Sequence, residues 1–320
     1  MTAGLPPPSR TATIQVRHHS NFHSIQFMQS SQQKRRSLLF SAAAAAFLTP
    51  FGDSFAATGA LRPASLASLE KEFGGRVGVA AIDTGNARTL GHRENERFPM
   101  CSTFKLLATS AILARSTTEP GLLQQRLAYA KSELVPYSPV TEKHVGAGMT
   151  VAELCAAALQ YSDNTAANLL LKTLGGPAAV TVFARSIGDT AFRLDRWEPE
   201  LNTALAGDDR DTTTPLAMAG TLQKLVLADG LPPAQQKTLK DWLIGNTTGA
   251  TRIRAGVPAG WQVGDKTGTG DYGTTNDVGI VWPPNRAPIV LAVYLTHPDK
   301  GAKSRSDVIA AATRFVLGEA

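Results

Sequence analysis

β-Rich sequence stands only at the two ends of the patterned part of this chain, with helix-forming sequence filling the whole of residues 98–240 between them. At the front, Arg76–Ile82 and the strand beginning Arg88–Gly91 are separated by Asp83-Thr84-Gly85-Asn86, a turn signal. At the back stand Trp261–Lys266, Asp277–Trp282 and Pro288–Thr296. The middle reads as helices over Ser102–Arg115, Gly121–Leu127, Thr150–Leu159, Thr165–Thr173, Pro177–Ile187, Thr214–Ala228 and Pro233–Leu243. The economical way for strands that distant in sequence to share a core is to pair in one sheet. The expected fold is therefore α/β (α+β). An antiparallel five-stranded sheet is flanked by the terminal helices Ala64–Phe73 and Ser304–Leu317, with an all-helical domain inserted. Residues 58–97 and 244–320 make the α/β domain, 98–243 the helical domain, and a site is expected in the cleft between them.

Composition narrows the function. The chain has 320 residues, 43% hydrophobic and 18% charged, as a soluble globular protein does, and a formal charge of +6. Residues 1–57 carry five of the cations (Arg10, Arg17, Lys34, Arg35, Arg36) against Asp53, a net +4. The +2 left for the remainder, with no basic run interleaved with aromatics, gives no reason to expect a nucleic-acid partner. Lys34-Arg35-Arg36-Ser37-Leu38-Leu39-Phe40 leads into an Ala- and Leu-rich stretch, and Ser54-Phe55-Ala56-Ala57 offers small residues for cleavage. This segment resembles a twin-arginine export signal, which implies a periplasmic protein with the signal removed. Residues 1–27 are patternless for such a signal, so Met28 is the expected true start. The apolar stretch is too short and alanine-rich for a stable membrane anchor. Cys101 and Cys155 are expected to be free, buried thiols. His92, His144 and His297 read as scattered loop histidines, and no metal-ligand cluster appears.

Three short motifs carry the chemistry. Ser102-Thr103-Phe104-Lys105 puts a serine at the mouth of a helix, with a lysine three residues on and so on the same face. Near a helix N-terminus the dipole favours an alkoxide or oxyanion, a way to build a nucleophile without histidine. Ser31–Lys34 and Ser68–Lys71 match the same S-x-x-K spacing, so the motif alone does not single Ser102 out. Ser162-Asp163-Asn164 alone reads as a polar loop capping the helix from Thr165, and Lys266-Thr267-Gly268 as a turn at a strand end. Arg196 and Asp211 could close a compact Ω-loop containing Glu198-Pro199-Glu200-Leu201-Asn202, with a surface ion pair the default for such charges.

S-x-x-K, S-D-N and K-T-G in that order, with Ser162, Glu198 and Lys266 lying 60, 96 and 164 residues after Ser102, resemble a class A serine β-lactamase over the whole mature chain. That resemblance implies roles. Ser102 would attack the lactam carbonyl, with the backbone N–H groups of Ser102 and Thr269 as oxyanion donors. Lys105 would accept or relay the serine proton, and Ser162 would pass a proton to the departing nitrogen. Glu198 and Asn202 would hold the water that clears the acyl-enzyme. Asn164 would bind the substrate amide, and Lys266, Thr267, Gly268 and Thr269 the carboxylate. Arg252 would supply the cation that many members carry where Thr274-Thr275 stands here, and Tyr137 would wall the cleft. The expected partner is a small-molecule β-lactam, with no cofactor or metal, and the protein a monomer.

Lys266–Asp277 resembles the cefotaximase branch, which implies penicillins, early cephalosporins and oxyimino-cephalosporins. The carbapenem-hydrolysing branch ties the residue before the nucleophile to a cysteine after K-T-G. Here Gly270 stands opposite Cys101, and Thr109 stands where another branch has the partner of Cys155. A cell-wall D-alanyl-D-alanine peptidase or a penicillin-sensing receptor would share the three motifs but lack the Glu198 device.

Overall fold

The structure, a computed structural model, describes Met1 and residues 64–319. The export-signal expectation and the Met28 start lie outside the described residues. Residues 64–319 fall within one compact unit.

In chain order its elements are α1 (Leu66–Phe73), β1 (Arg76–Asp83), β2 (Thr89–His92), β3 (Phe98–Pro99), α2 (Lys105–Arg115), β4 (Arg126–Leu127), β5 (Met149–Thr150) and α3 (Val151–Gln160). Then come α4 (Asn164–Leu174), α5 (Pro177–Ser186), β6 (Thr212–Thr213), α6 (Pro215–Leu227), α7 (Pro233–Ile244), α8 (Ile253–Gly256), β7 (Gln262–Thr269), β8 (Thr275–Trp282), β9 (Ile289–Thr296) and α9 (Ser306–Glu319). The five-stranded sheet has the order β2-β1-β9-β8-β7, antiparallel at every pairing. The last strand of the chain thus sits between the first strand and the motif-bearing pair, which joins the two ends as expected.

The period of two decides what each face covers. Val77, Val79, Ala81, Leu291, Val293 and Leu295 face the layer of α1 and α9, where Leu69, Val308, Ile309 and Ala312 are fully buried. Ala80, Val278, Ile280, Val290, Ala292 and Tyr294 face the other way, into a larger core shared with α2, α3, α4 and α6. Local chemistry sets the helix starts. Ser65 and Thr150 form capping boxes at α1 and α3, while Thr214 caps α6 ahead of Pro215. Gly74 ends α1 in the left-handed conformation.

Some expectations are corrected. Gly121–Leu127 is not a helix but one 3-10 turn (Leu122–Gln124) followed by β4, because the backbone leaves the turn to pair with β5. The strand expected over Trp261–Lys266 runs on as β7 to Thr269, which pairs with Thr275, so it ends within Lys266–Gly270 and K-T-G itself is strand rather than turn. His92 is on β2, not in a loop, and its ring contacts Glu70.

Candidate active site

Ser102 lies in a single 3-10 turn, Cys101–Phe104, that runs straight into α2. The turn is pinned on two sides. Thr103 Oγ1 donates to Met100 O, and Asn276 Nδ2 on β8 donates to both Pro99 O and Met100 O. Cys101, Tyr137 and Ser162 are non-glycine residues at positive φ (47°, 65° and 58°), all beside the cleft. Such conformations persist only where surrounding structure fixes them. Lys105 opens α2, and its Nζ reaches Ser102 Oγ at 2.8 Å, as the three-residue spacing predicts.

The Lys105 side chain is fully buried, and its ammonium is ringed by acceptors: Ser162 O at 2.7 Å, Asn164 Oδ1 at 2.6 Å and Glu198 Oε1 at 3.0 Å. Burial lowers its pKa, and the Glu198 carboxylate opposes that. Ser102 Oγ in turn donates to Glu198 Oε1 at 3.0 Å. Lys266, fully buried at mid-strand on β7, donates to Ser162 Oγ at 3.0 Å and to Thr267 O. Burial and then the nearby Lys105 charge push its pKa well down. The S-D-N loop is positioned by its middle residue. Asp163 is fully buried, caps α4 through Ala166 N–H, and accepts from Thr141 N, Thr141 Oγ1 and Val140 N.

Glu198 is carried by the loop between α5 and β6. Asp211 closes that loop, accepting from Asp195 N, Arg196 N and Arg196 Nε (2.5 Å). The pairing of Arg196 with Asp211 is as expected, but Asp211 is buried at 1% exposure, so this is no surface pair. Asn168 of α4 holds the Glu198 backbone from both sides, accepting from its N–H and donating to its C=O. Asn202 Nδ2 donates to Glu198 Oε2 at 2.5 Å.

These elements enclose a cleft of about 630 Å³ lined by Ser102, Tyr137, Ser162, Asn164, Asn202 and Thr267 among others, with Lys105, Lys266 and Glu198 buried around it. Gly268, Thr269 and Arg252 also line it, so all twelve residues proposed from sequence come together. Arg252 Nη1 donates to Gly268 O and Asn276 O, and Nη2 to Thr269 Oγ1 at 2.7 Å. Beneath it, burial and the adjacent Asp265 carboxylate push the Asp277 carboxyl well above the usual range. A Cβ on Gly270 would stand 2.7 Å from Cys101 Sγ, which confirms that the two positions face each other, and both cysteines are free and buried.

Sequence reasoning did not find Asn168, Asn276, Asn246, Thr247 or Thr248. Asparagine and threonine in helices, strands and loops carry no local signature; only their three-dimensional neighbours mark them.

A serine hydroxyl between a buried lysine and a buried glutamate, at the edge of an antiparallel sheet, defines a serine hydrolase whose proton-transfer groups include no histidine. The model of the "Beta-lactamase enzyme family" matches residues 63–319. The chain is 55% identical to β-lactamase OXY-1 of Klebsiella oxytoca over 88% of this chain and 97% of that one. It is 60% identical to the carbapenem-hydrolyzing β-lactamase KPC of K. oxytoca (78% and 86%) and 59% to β-lactamase CTX-M-8 of Citrobacter amalonaticus (78% and 86%). The crystal structure of a β-lactamase from Desulfarculus baarsii DSM 2075 superposes with a TM-score of 0.79 at 58% identity, covering 79% of this chain and 95% of that chain. The protein belongs to the β-lactamase enzyme family, as a class A serine β-lactamase.

Proposed function

We propose that this enzyme opens the ring of penicillins and cephalosporins through a Ser102 acyl-enzyme, cleared by a water that Glu198 activates, and so confers resistance to them. The observation that carries the reading is the placement of Ser102 Oγ between Lys105 Nζ (2.8 Å) and Glu198 Oε1 (3.0 Å). Lys105, as an ammonium, can only donate, so the serine proton faces Glu198. In the first half-reaction Ser102 Oγ bonds to the lactam carbonyl carbon, its proton passes to Glu198, and the C–N bond breaks. The Ser162 hydroxyl, accepting from Lys266, gives its own proton to the departing nitrogen and is reprotonated by Lys105, whose Nζ lies 3.4 Å away and recovers a proton from Glu198 at 3.0 Å, so Glu198 is again a carboxylate. The backbone N–H groups of Ser102 and Thr269 take the oxyanion. In the second, water held by Glu198 and Asn202 attacks the ester carbonyl, and the Ser102 C–O bond breaks with the proton returned to Ser102. Asn164 binds the substrate side-chain amide, and Tyr137 walls the entrance. The substrate carboxylate lies against Lys266, Thr267, Gly268, Thr269 and Arg252.

Glu198 favours hydrolysis over the peptidase and receptor alternatives, in which the acyl-enzyme persists. The relatives span enzymes named for carbapenem hydrolysis and others that are not. Gly270 opposite the free Cys101 favours the latter, so carbapenems are expected to be poor substrates. We also propose that residues 1–57 are an export signal removed in the periplasm, leaving a monomer without a membrane anchor. Residues 58–97 with 244–320, and 98–243, are the two lobes. The test is turnover of nitrocefin and benzylpenicillin by purified protein lacking residues 1–57. Continuous hydrolysis supports the reading, and one stoichiometric burst would replace it with a penicillin-binding protein. Ser102→Ala should form no adduct.

A further inference from the structure

A line of hydrogen bonds runs from a buried carboxylate to the floor of the cleft, and its direction can be read from elementary donor counting. Asp265 is fully buried and accepts from Arg254 Nε at Oδ1 and from Asn246 Nδ2 at Oδ2, each at 2.6 Å. The Asn246 amide cannot be turned over, because its Oδ1 accepts from the Thr248 backbone N–H at 3.0 Å, and an N–H only donates. The same Oδ1 is 2.8 Å from Thr248 Oγ1. A carbonyl oxygen only accepts, so the single Thr248 hydroxyl proton is committed to Asn246. Thr248 Oγ1 also lies 2.5 Å from Thr267 Oγ1. With the Thr248 proton already used, Thr267 must be the donor in that contact, and its proton points at Thr248 rather than into the cleft.

Thr269, two residues along on the same face of β7, is the opposite case. Its Oγ1 accepts from Arg252 Nη2, so its proton is free. The two threonines that would hold a substrate carboxylate are therefore unequal. To donate to a carboxylate, Thr267 must first give up its bond to Thr248, and Thr248 must then turn its own proton away from Asn246 Oδ1 or leave two oxygens facing each other at 2.5 Å with no proton between them.

We propose that Thr248 is a positioning residue that holds the Thr267 proton away from the cleft and so restrains the binding of carboxylate-bearing substrates. This rests on the β-lactam reading above. Thr248→Val removes the acceptor, keeps the shape and frees the Thr267 proton. The expected result is a KM for benzylpenicillin about three- to tenfold lower, the worth of one hydrogen bond, with kcat changed less than twofold. Thr248→Ser keeps the hydroxyl and should restore the wild-type KM. The methyl ester of benzylpenicillin, which carries no charge, should show less than a twofold difference between wild type and Thr248→Val.

The same comparison is made by calorimetric binding of benzylpenicillin and its ester to Ser102→Ala protein with and without Thr248→Val. Absence of turnover by the wild type would therefore remove the enzymatic reading while the Thr248 effect is still measured. Thr248→Ala serves as a second variant if the valine protein melts early. An unchanged or raised KM or Kd for the acid in both variants, or an equal change for acid and ester, overturns the proposal.

Discussion

Glu198 and Lys105 form an ion pair at 3.0 Å with both side chains fully buried, and the Ser102 hydroxyl bridges it. Each partner makes the burial of the other tolerable, since an unpaired charge there would cost several kcal/mol. Under the proposed mechanism the pair also separates acylation from turnover. Glu198→Gln keeps the shape but cannot take a proton, and its single amide oxygen can accept from Lys105 or from Asn202 Nδ2, not from both. Steady-state turnover of benzylpenicillin is expected to fall by about 10²–10⁴-fold, the usual size of general-base catalysis. Acylation, in which the serine proton also faces Glu198, should slow, but deacylation should slow more, so intact-mass spectrometry should find the protein carrying one substrate mass. Wild-type turnover by this variant would take Glu198 out of the mechanism.

The sequence already carried the sheet, most helices and every one of the twelve site residues, because nucleophile, lysines and glutamate are chemically distinctive and stand in fixed order. What was illegible is the support. Asp163 reads as an ordinary helix cap, yet it also accepts from the remote Val140–Thr141 segment and so fixes the S-D-N loop. Asp211 reads as a surface charge, yet it is buried under the loop it closes. Arg126–Leu127 reads as helix until β5 is present to pair with it. In each case the missing information is a partner remote in sequence, and propensity sees only neighbours.

Lys266 is expected to set the alkaline limit of activity. Its ammonium faces Ser162 and the proposed carboxylate region, and burial with the adjacent Lys105 charge holds its pKa well below that of an ordinary lysine. The cation therefore disappears at a lower pH than an ordinary lysine would lose it. kcat/KM for benzylpenicillin should fall as pH rises through that lowered pKa, with the midpoint below 10.5. The stability term has the opposite sign. Between the folded pKa and 10.5 the unfolded chain binds more protons, so this group adds stability as pH rises. Lys266→Arg stays charged over the whole range and should move the alkaline limb upward. A limb that does not move assigns it to another group.

Arg196 and Asp211 hold the loop that carries Glu198, with Nε 2.5 Å from Oδ2. Arg196→Ala leaves the Asp211 carboxylate buried with only backbone N–H partners. The expected loss is about 3 kcal/mol of unfolding free energy in urea. Because the released loop carries the proposed deacylation base, the deacylation rate should fall more than the acylation rate in single-turnover kinetics. Equal losses in both steps, or unchanged stability, would separate the loop closure from Glu198 positioning.

Gly249 is required by the carboxylate it faces. An added Cβ would stand 1.9 Å from Asp265 Oδ2 and 3.0 Å from Asn246 Nδ2. Asp265 has nowhere to retreat, being fully buried and tied to Arg254 at 2.6 Å. Gly249→Ala must therefore displace a carboxylate from two of its donors or move the backbone between α7 and α8. Overpacking of this kind costs about 1–3 kcal/mol, which for a domain of this size lowers Tm by several degrees. Gly220, half-buried on α6 with no heavy atom within 4 Å of its would-be Cβ, is the matched control. Gly220→Ala should hold or raise Tm, since alanine is the better helix former. Differential scanning calorimetry of the two variants decides the matter: if Gly249→Ala melts with the wild type, the contact with Asp265 is not the reason for glycine at 249.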